Sequence, residues 1–466
     1  MLFSSIAFLY YFLPIVIVLY LLAPKPLKNP VLLISSLVFY GWGEPKYVFL
    51  MIATIFLGYL FGILIERFRG KVFSKLFLIV SIMFSLAGLI YFKYADFFIN
   101  NFNAVTGLSV PLLKLALPIG ISFYTFQILS YTIDVYRGDV AAQKNPITLA
   151  TYVALFPQLI AGPIVRYSDI EKQLVKRTHS VERIALGIKK FVIGLAKKIL
   201  IANTLGELAE QFLVSNDVSV SYYWLFAFAY MLQIYFDFSG YSDMAIGLGK
   251  LFGFDFMENF NYPFISKSIT EFWRRWHISL GSWFRDYVYI PLGGNRVKRL
   301  RLLFNIFAVW LLTGFWHGAE WNFILWGLYF GVLLTLEKYF FGEFLKRHSI
   351  FGHIYVLFFV AISFMLFAAG NVSQAFGYVA GMFGLSEVPL VSEEFLYAVR
   401  NYGLVFLIAA IGATPIPKII KQKIDEKTKN SIFVYVAEIV ALVALLAVAT
   451  GYLADGSFNP FLYFRF

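Results

Sequence analysis

The stretch LTGFWHGAEWNFILWGLYFG, Leu312 to Gly331, decides how the rest of the chain is read. His317 and Glu320 are its only histidine and carboxylate, set in an apolar run between Arg301 and Glu337. An ionisable side chain at membrane depth is costly, so such a group marks a functional site facing a cavity or a helix-bundle interior. The run is too long for one helix across a hydrocarbon core of about 30 Å, and two short helices sit at the lower limit of spanning. Gly314 with Gly318 and Gly327 with Gly331 supply small-residue spacings for close helix contact. The turn is expected within His317 to Asn322, with Asn322 capping the second helix. A hairpin puts His317 near the far end of the spans; a tilted, broken helix puts it near mid-depth. The sequence leaves both open.

Outward from this stretch the composition stays apolar. Of 466 residues, 60% are hydrophobic, 20% aromatic and only 14% charged, with mean hydropathy +0.74. A soluble domain of this size cannot hide that much apolar surface. An all-α, multi-spanning integral membrane protein is expected, with roughly 11–13 membrane segments. The chain reads as one unit over 1–466, with N-terminal helices at 1–105, a catalytic core at 106–340 and C-terminal helices with an outer tail at 341–466. The opening MLFSSIAFLYYFLPIVIVLYLLAPK lacks a basic leader and reads as a retained helix. Spans are expected near 111–133 and 146–164, interrupted by Pro118, Gly120, Pro157 and Pro163. Broken backbone at that depth is tolerated only around a cavity or inside protein.

The chain has no cysteine, which excludes disulfides, thiolate metal sites and a cysteine nucleophile. Its net charge of +12 fits cytoplasmic loops and the lipid bilayer better than nucleic acid. Lys25, Lys28, Arg67, Arg69, Lys71, Lys75, Lys338, Lys346 and Arg347 place alternate connections inside, which puts both termini outside the membrane. The basic stretch from Arg166 to Lys198 reads as an amphipathic surface on anionic lipid, or as a dock for an anionic donor or acidic carrier.

Two further segments carry polar groups. YFDFSGYSDMAIGLGKLFG places Asp237 and Asp243 in an apolar helix. Gln233 with Asp237, Asp237 with Tyr241, and Ser239 with Asp243 are i,i+4 neighbours, read as stripes facing the interior. The bland reading is that these groups satisfy one another and tie helices together. NFNYPFISKSITEFWRRWHISLGSWFRDYVYIPLGG sets His277 among Trp273, Arg274, Arg275 and Trp276, the composition of an interfacial helix forming the inner wall of a site. His277 is as well suited to hydrogen bonding at the interface as to catalysis.

With these residues in hand, the chain resembles the membrane-bound O-acyltransferases, specifically their bacterial alginate O-acetylase branch. The resemblance runs over MLFSSIAFL, PIGISFYTFQILSYTIDVYRG, QLIAGPIVR, the aspartate helix, RRWHISLGSWFRDYVYIPLGG, GFWHGAEWNFILWG and the closing NPFLYFRF. It implies helices around a central tunnel, with re-entrant or interfacial helices. It also implies a bacterial inner-membrane location and no bound cofactor. The donor substrate it implies is an acyl thioester, acetyl-CoA or an acyl carrier protein. It places the family's essential histidine on His317 and the second on His277, with Asn322, Trp276, Trp316, Asp237, Asp243, Arg274 and Arg275 as candidate substrate contacts. A neutral His317 accepts a proton from an acceptor hydroxyl as general base, and His277, Asn322 or an indole N–H donates to the oxyanion. Tyr463 is the candidate carrier that hands the acyl group to an extracellular or periplasmic SGNH-type O-acetyltransferase; its bland alternative is an interfacial aromatic anchor. A D-alanyl transfer protein for teichoic acids, a peptidoglycan O-acetylation protein and a transporter of donor or polysaccharide are the alternatives. A metal site is disfavoured, because His277 and His317 have no third ligand at a telling spacing.

Overall fold

A computed structural model describes residues 2–160, 162–428, 431–456 and 458–459, and every regular element among them is helical. Among the described residues seven helices are long and apolar enough to cross a membrane, and the chain is a multi-pass membrane protein. It divides into two compact units, one of residues 1–191 with 242–257 and the other of 192–241 with 258–466.

The first unit contains α1 (Leu13–Leu22), α2 (Lys28–Gly43), α3 (Val48–Arg67), α4 (Val72–Leu89), α5 (Ala95–Thr106), α6 (Ile121–Arg137), α7 (Pro146–Ala154), α8 (Phe156–Leu159) and α9 (Tyr167–Val175). Helix α6 seats on α3 because Gly58 and Gly62 leave room for it. A Cβ at these glycines would lie 2.6 Å from Ile128 Cδ1 and 2.7 Å from the Tyr131 hydroxyl. The rings of Phe3, Phe8, Phe12, Phe39 and Phe156 form the core of this unit.

The span expected near 111–133 starts late. Residues 107–120 are not helical, and α6 begins only after Gly120, whose φ of +73° suits glycine. Gly120 is also held against the chain, since a Cβ there would meet the Leu159 carbonyl oxygen at 2.8 Å. The segment near 146–164 is likewise no single span: α7 stops at Ala154, and Pro157 sits in the first turn of the four-residue α8.

Helices α10 (Val181–Ala196) and α12 (Val220–Leu251) each have residues in both units. In the first unit Gly187 and Gly247 face each other's carbonyls, and in the second Gly240 faces the Gly194 carbonyl; each added Cβ would fall 2.6–2.7 Å from an oxygen. Seven-residue spacing of small residues on both helices permits this backbone approach.

The second unit adds α11 (Asn203–Val214), the short α13 (Ile269–Arg275) and α14 (Ile278–Phe284), then α15 (Arg299–His317), α16 (Trp321–Leu336) and α17 (Gly342–Arg347). It closes with α18 (Ser349–Ala368), α19 (Val372–Met382), α20 (Glu393–Gly412), α21 (Ile416–Thr428) and α22 (Ile432–Ala454). More than half of the residues in the apolar stretch of α18 are buried in the core of this unit, whereas hardly any in that of α22 are, which leaves α22 for lipid. The stretch quoted first is a hairpin. Gly314 on α15 and Gly327 on α16 meet backbone to backbone: a Cβ on Gly314 would lie 2.3 Å from the Phe323 carbonyl oxygen, and one on Gly327 2.3 Å from that of Trp310.

Candidate functional site

His317 is the last residue of α15, and its packing follows from the turn that ends the helix. Gly318 continues in extended backbone, with the Phe323 ring so close that a Cβ there would stand 2.2 Å from it. The His317 imidazole is half-buried, not fully enclosed. It sits edge-to-face with Trp316, Trp326 and Phe367, ring centres 5.0, 5.0 and 5.4 Å away. Glu320 is exposed at the N-terminal boundary of α16.

Asn322 does not cap α16, contrary to expectation, because Glu320 occupies the cap position. The Asn322 amide, buried, donates instead to the Ala369 carbonyl at 2.7 Å. That bond satisfies an orphan acceptor just past the end of α18, the helix that brings Phe367 against His317.

His277 comes to the same place from another element. The segment expected as one interfacial helix is broken into α13 and α14, and His277 occupies the break with φ +46°, a left-handed conformation rare outside glycine. Asn259 straps the break, since its carbonyl accepts from Ile278 N at 3.0 Å and its side chain from Ser279 N and Oγ. The imidazole is 1% exposed, edge-to-face with Phe238 at 4.6 Å and with Trp316 at 6.0 Å. Neither ring nitrogen has a hydrogen-bond partner among the described residues. Burial pushes its pKa down to about 3, so it is neutral at pH 7 with one N–H to donate. Two further buried donors nearby have no acceptor among the described residues: the indole N–H groups of Trp273 and Trp326.

Glu337 locks these two parts together, a role the sequence did not signal. Its buried carboxylate, just after α16, accepts from Ile269 N, from Thr270 N at 2.9 Å and from Thr270 Oγ1 at 2.7 Å, capping α13.

Other expected contacts lie elsewhere. Trp276 is buried in an aromatic nest of Phe260, Phe264, Phe272 and Phe364. Arg275 is bound to Glu271 at 3.0 Å and donates to the Asn261 carbonyl. Asp237 meets Lys198 at 2.7 Å, both fully buried, and Asp243 meets Lys190 at 3.4 Å, so each aspartate ties its helix to another helical segment. Tyr463 lies outside the described residues. Arg274 lines a cavity of about 770 Å³ with Ser268, Asn295, Trp310, Lys338 and Lys346. From Trp310 the aromatic contacts continue through Trp273 at 4.7 Å and Trp326 at 5.7 Å to His317.

The model of the membrane-bound O-acyltransferase family, MBOAT, matches residues 141–374, which include both histidines. The chain is 39% identical to a probable alginate O-acetylase, AlgI, of Azotobacter vinelandii over the whole of both proteins. It is 33% identical to a peptidoglycan O-acetyltransferase of Helicobacter pylori over 100% of this chain and 98% of that one. A teichoic acid D-alanyltransferase of Bacillus subtilis is 32% identical over 48% of this chain and 59% of its own.

Proposed function

The chain belongs to the membrane-bound O-acyltransferase family and is an O-acyltransferase, and we propose that it carries an acetyl group from a cytoplasmic thioester across the membrane to modify an extracellular polysaccharide. The observation that carries this reading is the convergence of His317 and His277 on one indole, inside the segment matched by the family model. Alginate-like polymers and peptidoglycan are the substrate classes supported, because the relatives named for them match from end to end. The D-alanyl transfer reading is weaker, resting on a relative that matches about half the chain.

In the proposed reaction His317 takes the proton of an acceptor hydroxyl while the oxygen attacks the thioester carbonyl carbon. The carbon–oxygen bond forms and negative charge moves onto the carbonyl oxygen. The neutral His277 N–H and the Trp326 indole N–H are the donors suited to that charge. Collapse breaks the carbon–sulfur bond, and the thiolate leaves with the proton held by His317. The Asn322 amide gives one N–H to the Ala369 carbonyl at 2.7 Å and points the other toward that of Leu366 at 3.5 Å, so His277 and Trp326 are preferred to it as oxyanion donors.

The donor, acetyl-CoA or an acylated carrier protein, enters from the cavity lined by Arg274, Lys338 and Lys346 together with Glu271, Glu337 and Glu343, where Arg274 and Lys338 are the cations offered to phosphate, and its acyl arm follows the wall of Trp310, Trp273 and Trp326. The orientation with both termini outside puts this cavity on the cytoplasmic side. Tyr463 takes the acyl group as an ester and passes it to an SGNH-type partner outside. The test uses vesicles of an inner-membrane lipid extract, loaded with radiolabelled acetyl-CoA and carrying purified protein. Label on the protein, mapped to Tyr463 and absent in Tyr463→Phe, is the expected result. No label and no CoA release from either protein contradicts acetyl-CoA as the donor.

A further inference from the structure

Just beyond α22, Phe458 and Asn459 are half-buried against α11 in the second unit. Gly206 on α11 leaves a notch there, and the Phe458 ring fills it so closely that a Cβ on Gly206 would stand 2.8 Å from Phe458 Cε1. Beside the notch Asn203 Nδ2 donates to Asn459 Oδ1 at 3.2 Å. Ile199, Thr204, Glu207, Tyr452 and Leu453 complete the lining.

Three features set this apart from incidental packing. Asn203 and Gln233 are 6% and 4% exposed, yet the Asn203 Oδ1 and Gln233 Oε1 acceptors have no donor among the described residues. Buried acceptors of this kind are costly unless a donor reaches them. Gln233 flanks the notch too, its Nε2 standing 2.5 Å from where a Gly206 Cβ would be. One turn further along α12 the buried pair Asp237–Lys198 joins that helix to the segment leading into α11, so the two walls are fixed relative to each other.

We propose that Asn203, Gly206 and Gln233 form a seat that grips Phe458 and Asn459 and positions the chain that follows for acyl transfer at the His277–His317 site. This rests on the reading of Tyr463 as carrier. Tyr463 follows Asn459 by four positions in the sequence, a length of chain that spans at most about 14 Å. From the seat to the site the path is short: Gln233 to Phe238 is a rise of about 7.5 Å along α12, and the Phe238 ring lies 4.6 Å from that of His277. Asn203, Gly206 and Gln233 are positioning residues that touch no reacting atom.

The absence of native cysteine makes a direct test clean. Thr204→Cys with Asn459→Cys, in the full-length protein in membranes, is treated with a short bis-maleimide, and acyl transfer is followed in the matching variants without cysteines. The cross-link is expected to form. Gly206→Ala is expected to lower cross-linking and to cut transfer on the order of 10²-fold, as a displacement of about 1 Å does. Phe458→Ala alone, which empties the seat without adding bulk to α11, is expected to lower transfer likewise while leaving the melting temperature unchanged, which distinguishes loss of the grip from loss of folding. Absence of the cross-link overturns the seat, as does a Gly206→Ala variant that loses the cross-link and keeps full transfer. Full transfer by Tyr463→Phe with the cross-link intact overturns the carrier reading and the seat's catalytic purpose with it.

Discussion

His277 and His317 are joined by a single side chain: the Trp316 indole is edge-to-face with both imidazoles, at 6.0 Å and 5.0 Å. One histidine comes from a helix end and the other from a break between two short helices, so their alignment depends on the elements that hold each in place.

The hairpin is the first of these. Gly314→Ala puts a methyl group 2.3 Å from the Phe323 carbonyl and forces α15 and α16 apart. Thermal unfolding in detergent should show a loss of about 1–3 kcal/mol, the usual cost of overpacking, and transfer should fall because His317 moves with α15. An unchanged melting temperature would mean that the two backbones are not in contact.

The buried ion pair is the second. Lys198→Met takes the buried cation away from the buried Asp237 carboxyl group, and breaking such a pair on one side costs about 3–5 kcal/mol. Lys198→Met with Asp237→Leu should be much more stable than the single variant. If the double variant is as unstable as Lys198→Met, the pair is not what the lysine serves.

The buried imidazole of His277 makes stability depend on pH. Its pKa of about 3 in the folded protein lies below the usual value of about 6.5. Between those values the unfolded chain binds a proton that the native state refuses. Stability is therefore fully present above pH 6.5 and falls as the pH drops toward 3, by up to about 1.4 kcal/mol per pH unit. His277→Asn should flatten that slope in melting curves taken from pH 7 to pH 4. A slope identical to that of the parent protein would show that the group is not held neutral.

The local determinants of the turn were legible, a run too long for one helix and glycines spaced to let two helices touch, but they left a hairpin and a tilted, broken helix equally open. The interruption ahead of α6 was legible for the same reason, in Pro118 and Gly120. The partners of Asp237 and Asp243 were not legible. Lys198 and Lys190 sit on other helical segments, and the register between α10 and α12 is set by Gly187, Gly194, Gly240 and Gly247 meeting at helix-contact distance. Nor did composition betray the break at His277, since nothing in Trp273 to Gly281 except the strap from Asn259 requires a left-handed residue there. Glu337 looked like the edge of a span, and only the arrival of α13 at its carboxylate makes it a cap. His317 itself was legible as the one histidine of a long apolar run, but its aromatic surroundings include Phe367, supplied by a helix fifty residues further on.

The most direct test of His317 as general base is the rate of CoA release from acetyl-CoA by His317→Ala, measured beside the parent protein in the same vesicles with the polysaccharide acceptor and partner protein present. The account predicts a folded, membrane-inserted variant whose release rate is lower by about 10²–10⁴-fold, the range a positioned base contributes. A variant that releases CoA and transfers the acetyl group at the parent's rate would contradict it.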